Sequence, residues 1–122
     1  MATVTPTKTV VGGNGYAAQF DWALTTANND GSALQHPEYP DRVFSVAGGT
    51  WGGATLTIEG SSDGTTYVAL EDVNGNAATL SGDGVIHVQA CPQFVRPRLT
   101  TVGAGAAVPV AGLIRRVTDA RT

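Results

Sequence analysis

The chain has 122 residues, of which 42% are apolar and only 14% charged, with ten acidic and seven basic side chains and a net charge of −3. That length makes one domain with enough apolar surface for a core, and Gly, Thr, Ala, Ser and Asn stand where charge is missing. A weakly negative chain without a dense basic patch excludes a phosphate backbone as the expected partner, and no run approaches the roughly 18 apolar residues of a membrane span.

Residues 1–11, MATVTPTKTVV, are rich in β-branched side chains, carry polar groups on both faces and contain Pro6, which keeps them out of a central strand. They read as an extended N-terminal arm suited to adding to the sheet edge of a neighbouring subunit, with Val4, Pro6, Lys8 and Val10 as contact candidates. A frayed terminus or an edge strand of the chain's own sheet is the competing reading. Residues 1–6 lack the apolar stretch of a secretory leader, which predicts synthesis in a cytoplasm, where the single cysteine, Cys91, stays reduced. Gly12-Gly13-Asn14-Gly15 reads as a joint; it has no trailing Lys-Ser/Thr and opens no helix, so it is not a phosphate loop.

Ala18, Phe20, Trp22 and Leu24 alternate with Gln19 and Asp21, the period of a half-buried strand. Residues 26–41 form the longest irregular connection. His36, Glu38 and Asp41 gather there, but Pro37 and Pro40 interrupt them and the spacing fits no closed zinc set, so no metal is expected. Tyr39, in the same loop, is a contact candidate. Arg42 to Ala47 reads as a strand with Phe44 and Val46 on one face, followed by a wide Gly-rich turn that holds Trp51 as either a core plug or an exposed platform.

Ala54, Leu56 and Ile58 then alternate with Thr55, Thr57 and Glu59; Ser61-Ser62-Asp63-Gly64-Thr65 supplies a turn, and Tyr67 to Leu70 resumes with Val68 and Leu70 inward. A loop around Asn74-Gly75 and the turn at residues 81–84 lead to Ile86, Val88 and Ala90 on one strand face. Asp63 and Asp83 precede glycines and read as turn formers. Residues 94–101 place Val95 and Leu99 inward and Arg96 and Arg98 outward, and residues 106–114 put Val108 and Val110 on a shared face. From Leu113 onward the chain gathers charge, which makes Arg115 and Arg116 candidates for docking on an acidic surface.

Seven or eight short strands at roughly ten-residue spacing predict an all-β fold: a single antiparallel β-sandwich, jelly-roll-like, with the arm at 1–11, the sandwich over 12–116 and a tail at 117–122. No catalytic set is expected. His87 and Cys91 fall on one strand face but form only a lone pair. The carboxylates Asp21, Glu38, Glu59, Glu71 and Asp72 are not set two by two across a cleft, and no Gly-x-Ser-x-Gly elbow occurs. No cofactor is expected either.

The run from Thr55 to Leu70, TLTIEGSSDGTTYVAL, resembles a strand–S-x-D-G-x-x-aromatic–strand signature, and Phe94-Val95-Arg96-Pro97-Arg98-Leu99 resembles the aromatic-x-Arg strand that accompanies it. Over residues 42–114 this pairing is similar to two groups: small virion proteins of tailed bacteriophages, among them capsid decoration (cement) proteins, and discoidin-like carbohydrate- and lipid-binding sandwiches. The chain lacks the cysteine pair usual in the second group. Resemblance to the first implies a non-enzymatic protein on the outside of an icosahedral head, synthesised in the host cytoplasm, oligomeric (dimer or trimer), with the major capsid protein as partner. A sugar-binding module using Trp51 and Tyr67, and a tail or neck protein of such virions, are the alternatives.

Overall fold

The computed structural model describes residues 3–11, 17–35, 41–88, 92–101 and 104–115. Its strands are β1 (Thr3–Val4), β2 (Thr7–Val11), β3 (Ala17–Thr25), β4 (Asp30–Gly31), β5 (Asp41–Val46), β6 (Thr55–Ser61), β7 (Val68–Ala69), β8 (Thr79–Leu80), β9 (Gly84–Val88), β10 (Phe94–Thr101) and β11 (Ala107–Arg115). They form two sheets. One has the order β2-β3-β11-β5-β9; the other has the order β1-β4-β10-β6-β7, with β8 also pairing β6. The chain is an all-β sandwich, and among the described residues every ladder is antiparallel except that between β1 and β4.

The alternation read in the sequence is what packs the two layers. Phe20, Trp22, Leu24, Phe44, Val46, Val108, Val110 and Ile114 from the five-stranded sheet meet Leu56, Ile58, Val95 and Leu99 from the other. Trp22 is the centrepiece, with ring centroids 6.4 Å from Phe20 and 6.1 Å from Phe44. Gly112 makes room for it: a Cβ there would lie 2.9 Å from Trp22 Cζ3 and 3.0 Å from Phe44 Cε2. Gly112→Ala overpacks this spot without touching any ladder bond, so it is expected to cost on the order of 1–2 kcal/mol, visible as a lower urea midpoint at unchanged slope.

The free arm is corrected. Thr3 and Val4 pair in parallel with Asp30 and Gly31, and Thr7 to Val11 pair antiparallel with Asp21 to Ala17. Residues 3–11 thus run along one open side of the sandwich, first as the edge of one sheet and then as the edge of the other. The chain's own edges satisfy these backbone groups without the association cost of a second molecule. Pro6 sits in the crossover between the sheets, where its missing N–H removes no ladder bond. The Gly12–Gly15 joint and the 117–122 tail lie outside the described residues.

On the opposite side, residues 71–77 cross between the sheets. Glu71 bridges Ala77, Asp72 bridges Val88, and the Val73 N–H donates to the His87 carbonyl at 3.0 Å.

The connection expected to be irregular over 26–41 contains β4 and a core residue. Leu34 and Val95 exchange both backbone hydrogen bonds, at 2.7 and 3.1 Å, and Leu34 is buried. Val68, expected inward, is 62% exposed. It stands opposite Gly60, which offers no side chain, on a two-residue edge strand where the sandwich ends, so nothing covers it.

Candidate functional site

The two halves of the sequence signature meet in space. Pairing of β6 with β10 sets Ser61 opposite Phe94, Glu59 opposite Arg96 and Thr57 opposite Arg98. On the outer face of this sheet, Glu59 Oε1 accepts from Arg96 Nε at 3.0 Å and lies 3.0 Å from Arg96 Nη2, while Glu59 Oε2 lies 3.6 Å from Arg98 Nη1. Arg98 Nε is 2.9 Å from Asp30 Oδ1, too bent for a good hydrogen bond, so charge holds that pair together. The Arg96 guanidinium lies over the Tyr67 ring, 3.9 Å from its centroid. Two carboxylates and two guanidiniums therefore neutralise one another along a ladder closed by an aromatic face.

The β6–β7 turn explains the S-x-D-G spacing. Asp63 Oδ1 accepts the amide hydrogens of Thr65 at 2.8 Å and Thr66 at 3.0 Å and the Ser61 hydroxyl at 2.8 Å. Ser61 Oγ in turn accepts from the Gly64 amide at 2.9 Å, so this serine is occupied by turn geometry. The backbone bonds from Thr66 and Thr65, then the Ser61 hydroxyl, lower the Asp63 carboxyl to about 2. An unfolded Asp titrates near 3.9, so the folded chain binds fewer protons between the two values, and stability is lost as pH falls from about 4 to about 2. The Thr65 and Thr66 amide resonances are expected to titrate together with a midpoint near 2; a midpoint near 4 would contradict the cap.

Asp83 plays the same part at the other end. Its carboxylate accepts Trp51 Nε1–H at 2.9 Å, Gly48 N–H at 2.9 Å and Gly49 N–H at 3.1 Å, and these bonds, the indole first, hold its pKa below the usual Asp value. Trp51 is half-buried and packs on the core. It precedes β6, whereas Tyr67 follows it, so the seven residues of β6 hold the two rings roughly 20 Å apart. One sugar ring cannot stack on both.

The outer face of the five-stranded sheet is different in kind. Along β11, Pro109, Ala111 and Leu113 point out, flanked by Ala23, Asp21 and Gln19 on β3 and, for the last two, by Ser45 and Val43 on β5; Val85 on β9 stands beside Ser45. Among the described residues, the registers place Asp21 and Arg115 as formal charges on this face. Val85 is 67% exposed. An open hollow of about 260 Å³ indents the face at its other end, lined chiefly by Ala23, Thr25, Gly48, Thr50, Ala107 and Pro109.

Of the contact candidates, Val4 and Val10 lie in β1 and β2, and Pro6 lies between them. Lys8 is exposed on β2 with Nζ 5.9 Å from the Phe20 ring centroid, a cation guarding a sheet edge. Arg115 ends β11, exposed and engaged in interactions of its own. Tyr39 and Arg116 lie outside the described residues, as do His36, Glu38 and Cys91. Among the described residues, no three His, Cys, Asp or Glu side chains gather as a metal set. The sheet face was missed because small and apolar residues alternate with apolar ones over 107–114, which hides which set faces out. Comparison with family models, curated proteins and solved structures finds no match to this chain.

Proposed function

We propose that this chain is a structural contact protein of a virion, a capsid decoration protein that binds the outside of an icosahedral head and reinforces the contacts between major capsid subunits. The observation that carries this reading is where the charge goes. Glu59, Arg96, Arg98 and Asp30 pair with one another, Asp63, Asp72 and Asp83 cap turns, and Arg42 is fully buried with Nη1 donating to the Pro92 carbonyl at 3.2 Å. The outer face of the five-stranded sheet is left weakly charged among the described residues, so neighbours can cover it at small desolvation cost. A small contact of this kind gains its strength by repetition over many identical positions on a closed shell.

The sugar-binding alternative keeps Trp51 and Tyr67 as separate rings, one tied through its N–H to Asp83 and the other covered on one face by Arg96. The tail or neck alternative uses the same surfaces and differs only in the partner. Co-sedimentation separates them: purified chain added to shells of the major capsid protein from the same virion is expected to saturate at a fixed ratio to that protein. No sedimentation with shells, or saturable Trp51-dependent binding to a glycan array, would overturn the reading.

A further inference from the structure

We propose that the outer face of the five-stranded sheet is a homotypic interface, on which a second copy packs face to face about a two-fold axis passing over Ala111, each copy's Val85 entering the other's hollow over the start of β11, between β3 and residues 48–50. The inference concerns the free chain and goes beyond the shell-binding reading.

Symmetry is the first argument. In a contact between identical faces, whatever residue i touches must be matched by the reverse contact, so a protrusion and its receptor must be exchanged by one rotation. The ladder grid meets that condition. Ala111 lies opposite Ser45, and Ser45 opposite Val85, so Val85 is two strand spacings, ~10 Å, from Ala111. The hollow is lined by Pro109 and Ala107, two and four residues back along β11, and by their β3 neighbours Ala23 and Thr25. Its centre is therefore also ~10 Å from Ala111, in a different direction. Knob and hollow at equal radii are interchanged by an axis lying in the interface plane along the bisector of those directions.

Area is the second argument. Five strands ~4.8 Å apart, with the longest nine residues at ~3.3 Å each, give a face of ~600 Å². That is about a tenth of the chain's 6093 Å² surface and approaches the roughly 800 Å² per partner of a stable complex. Charge is the third. With Asp21 and Arg115 as the formal charges that the registers place on it among the described residues, the face neither repels its own copy strongly nor asks for a partner of opposite sign. An exposed Val over an apolar-lined hollow is the central contact such an interface needs.

Sedimentation velocity of the full chain tests this. The expected species is a dimer of about 25 kDa, twice the 12.4 kDa chain. Val85→Asp on the knob and Ala23→Asp in the hollow are each expected to weaken dimerisation by about tenfold or more, with melting of the monomer unchanged. Should either variant fail to fold, Val85→Cys with Ala107→Cys in a Cys91→Ser background supplies a second readout: oxidation is expected to give a dimer linked between positions 85 and 107. A monomer at 100 µM or so, a dimer indifferent to both substitutions, or no 85–107 link would overturn the interface. Monomers whose shell binding is abolished by Val85→Asp would also overturn it, giving the face to the capsid subunit. A dimer that ignores shells would keep the interface and remove the virion reading.

Discussion

Replacing Trp22 with Ala is expected to lower the free energy of unfolding by about 3–5 kcal/mol, the largest single effect in the chain. Trp22 is buried between Phe20 and Phe44, opposite its register partner Val110, and its ring fills the space that Gly112 leaves for lack of a side chain. Truncation removes the apolar area and leaves a cavity that rigid strands on both sides cannot close. It also strips the Ser32 carbonyl of the indole N–H that donates to it at 3.1 Å. Trp22→Phe keeps most of the packing and loses that hydrogen bond, so it should cost about half as much or less. Urea unfolding followed by circular dichroism separates the two: a small domain has only about 5–15 kcal/mol in hand, so the Ala variant should be marginal and the Phe variant folded. Equal losses would show that the hydrogen bond, and not the packing, dominates at this position.

The second large effect is expected at Glu59. Glu59→Ala removes the carboxylate that Arg96 and Arg98 share on one sheet face and leaves Arg98 with Asp30. Removing one partner of a desolvated pair costs up to about 3–5 kcal/mol, and the partial exposure of both arginines reduces that to about 2–3 kcal/mol here. Glu59→Leu combined with Arg96→Met replaces the pair by apolar side chains of similar reach. It is expected to cost less than Glu59→Ala alone, because the Arg96 guanidinium goes together with its carboxylate while Arg98 keeps Asp30. A double-mutant cycle in chemical denaturation reads this directly. Additive losses at Glu59 and Arg96 would mean that the ladder carries no coupling energy.

The core strands were legible because one buried face imposes a period of two: Phe20, Trp22 and Leu24, or Leu56 and Ile58, cannot slip by one residue without exposing every apolar side chain. The turn at Asp63 was legible for a local reason, since its carboxylate caps amides only two and three residues away, whereas Asp83 caps Gly48 and Gly49, 35 and 34 residues back, which no local pattern encodes. What escaped is non-local. Whether residues 3–11 reach a neighbour or their own sheets depends on which edges the rest of the chain leaves free, and nothing within those residues encodes that. β4 is two residues long, too short for any period, and is fixed by its partners Thr3, Val4 and Arg98. Val68 follows the alternation and is still exposed, because position along the sandwich, not parity, decides burial at an edge. The signature halves were each visible, but that Tyr67 covers Arg96 follows only from the register of β6 with both β7 and β10.

The central claim, that this molecule acts by occupying repeated positions on a shell, is tested most directly by quantitative mass spectrometry of purified virions. The account predicts a copy number in fixed proportion to the major capsid protein, set by the number of equivalent sites on the shell. A chain absent from virions, or present in the few copies of a portal or tail component, would contradict it.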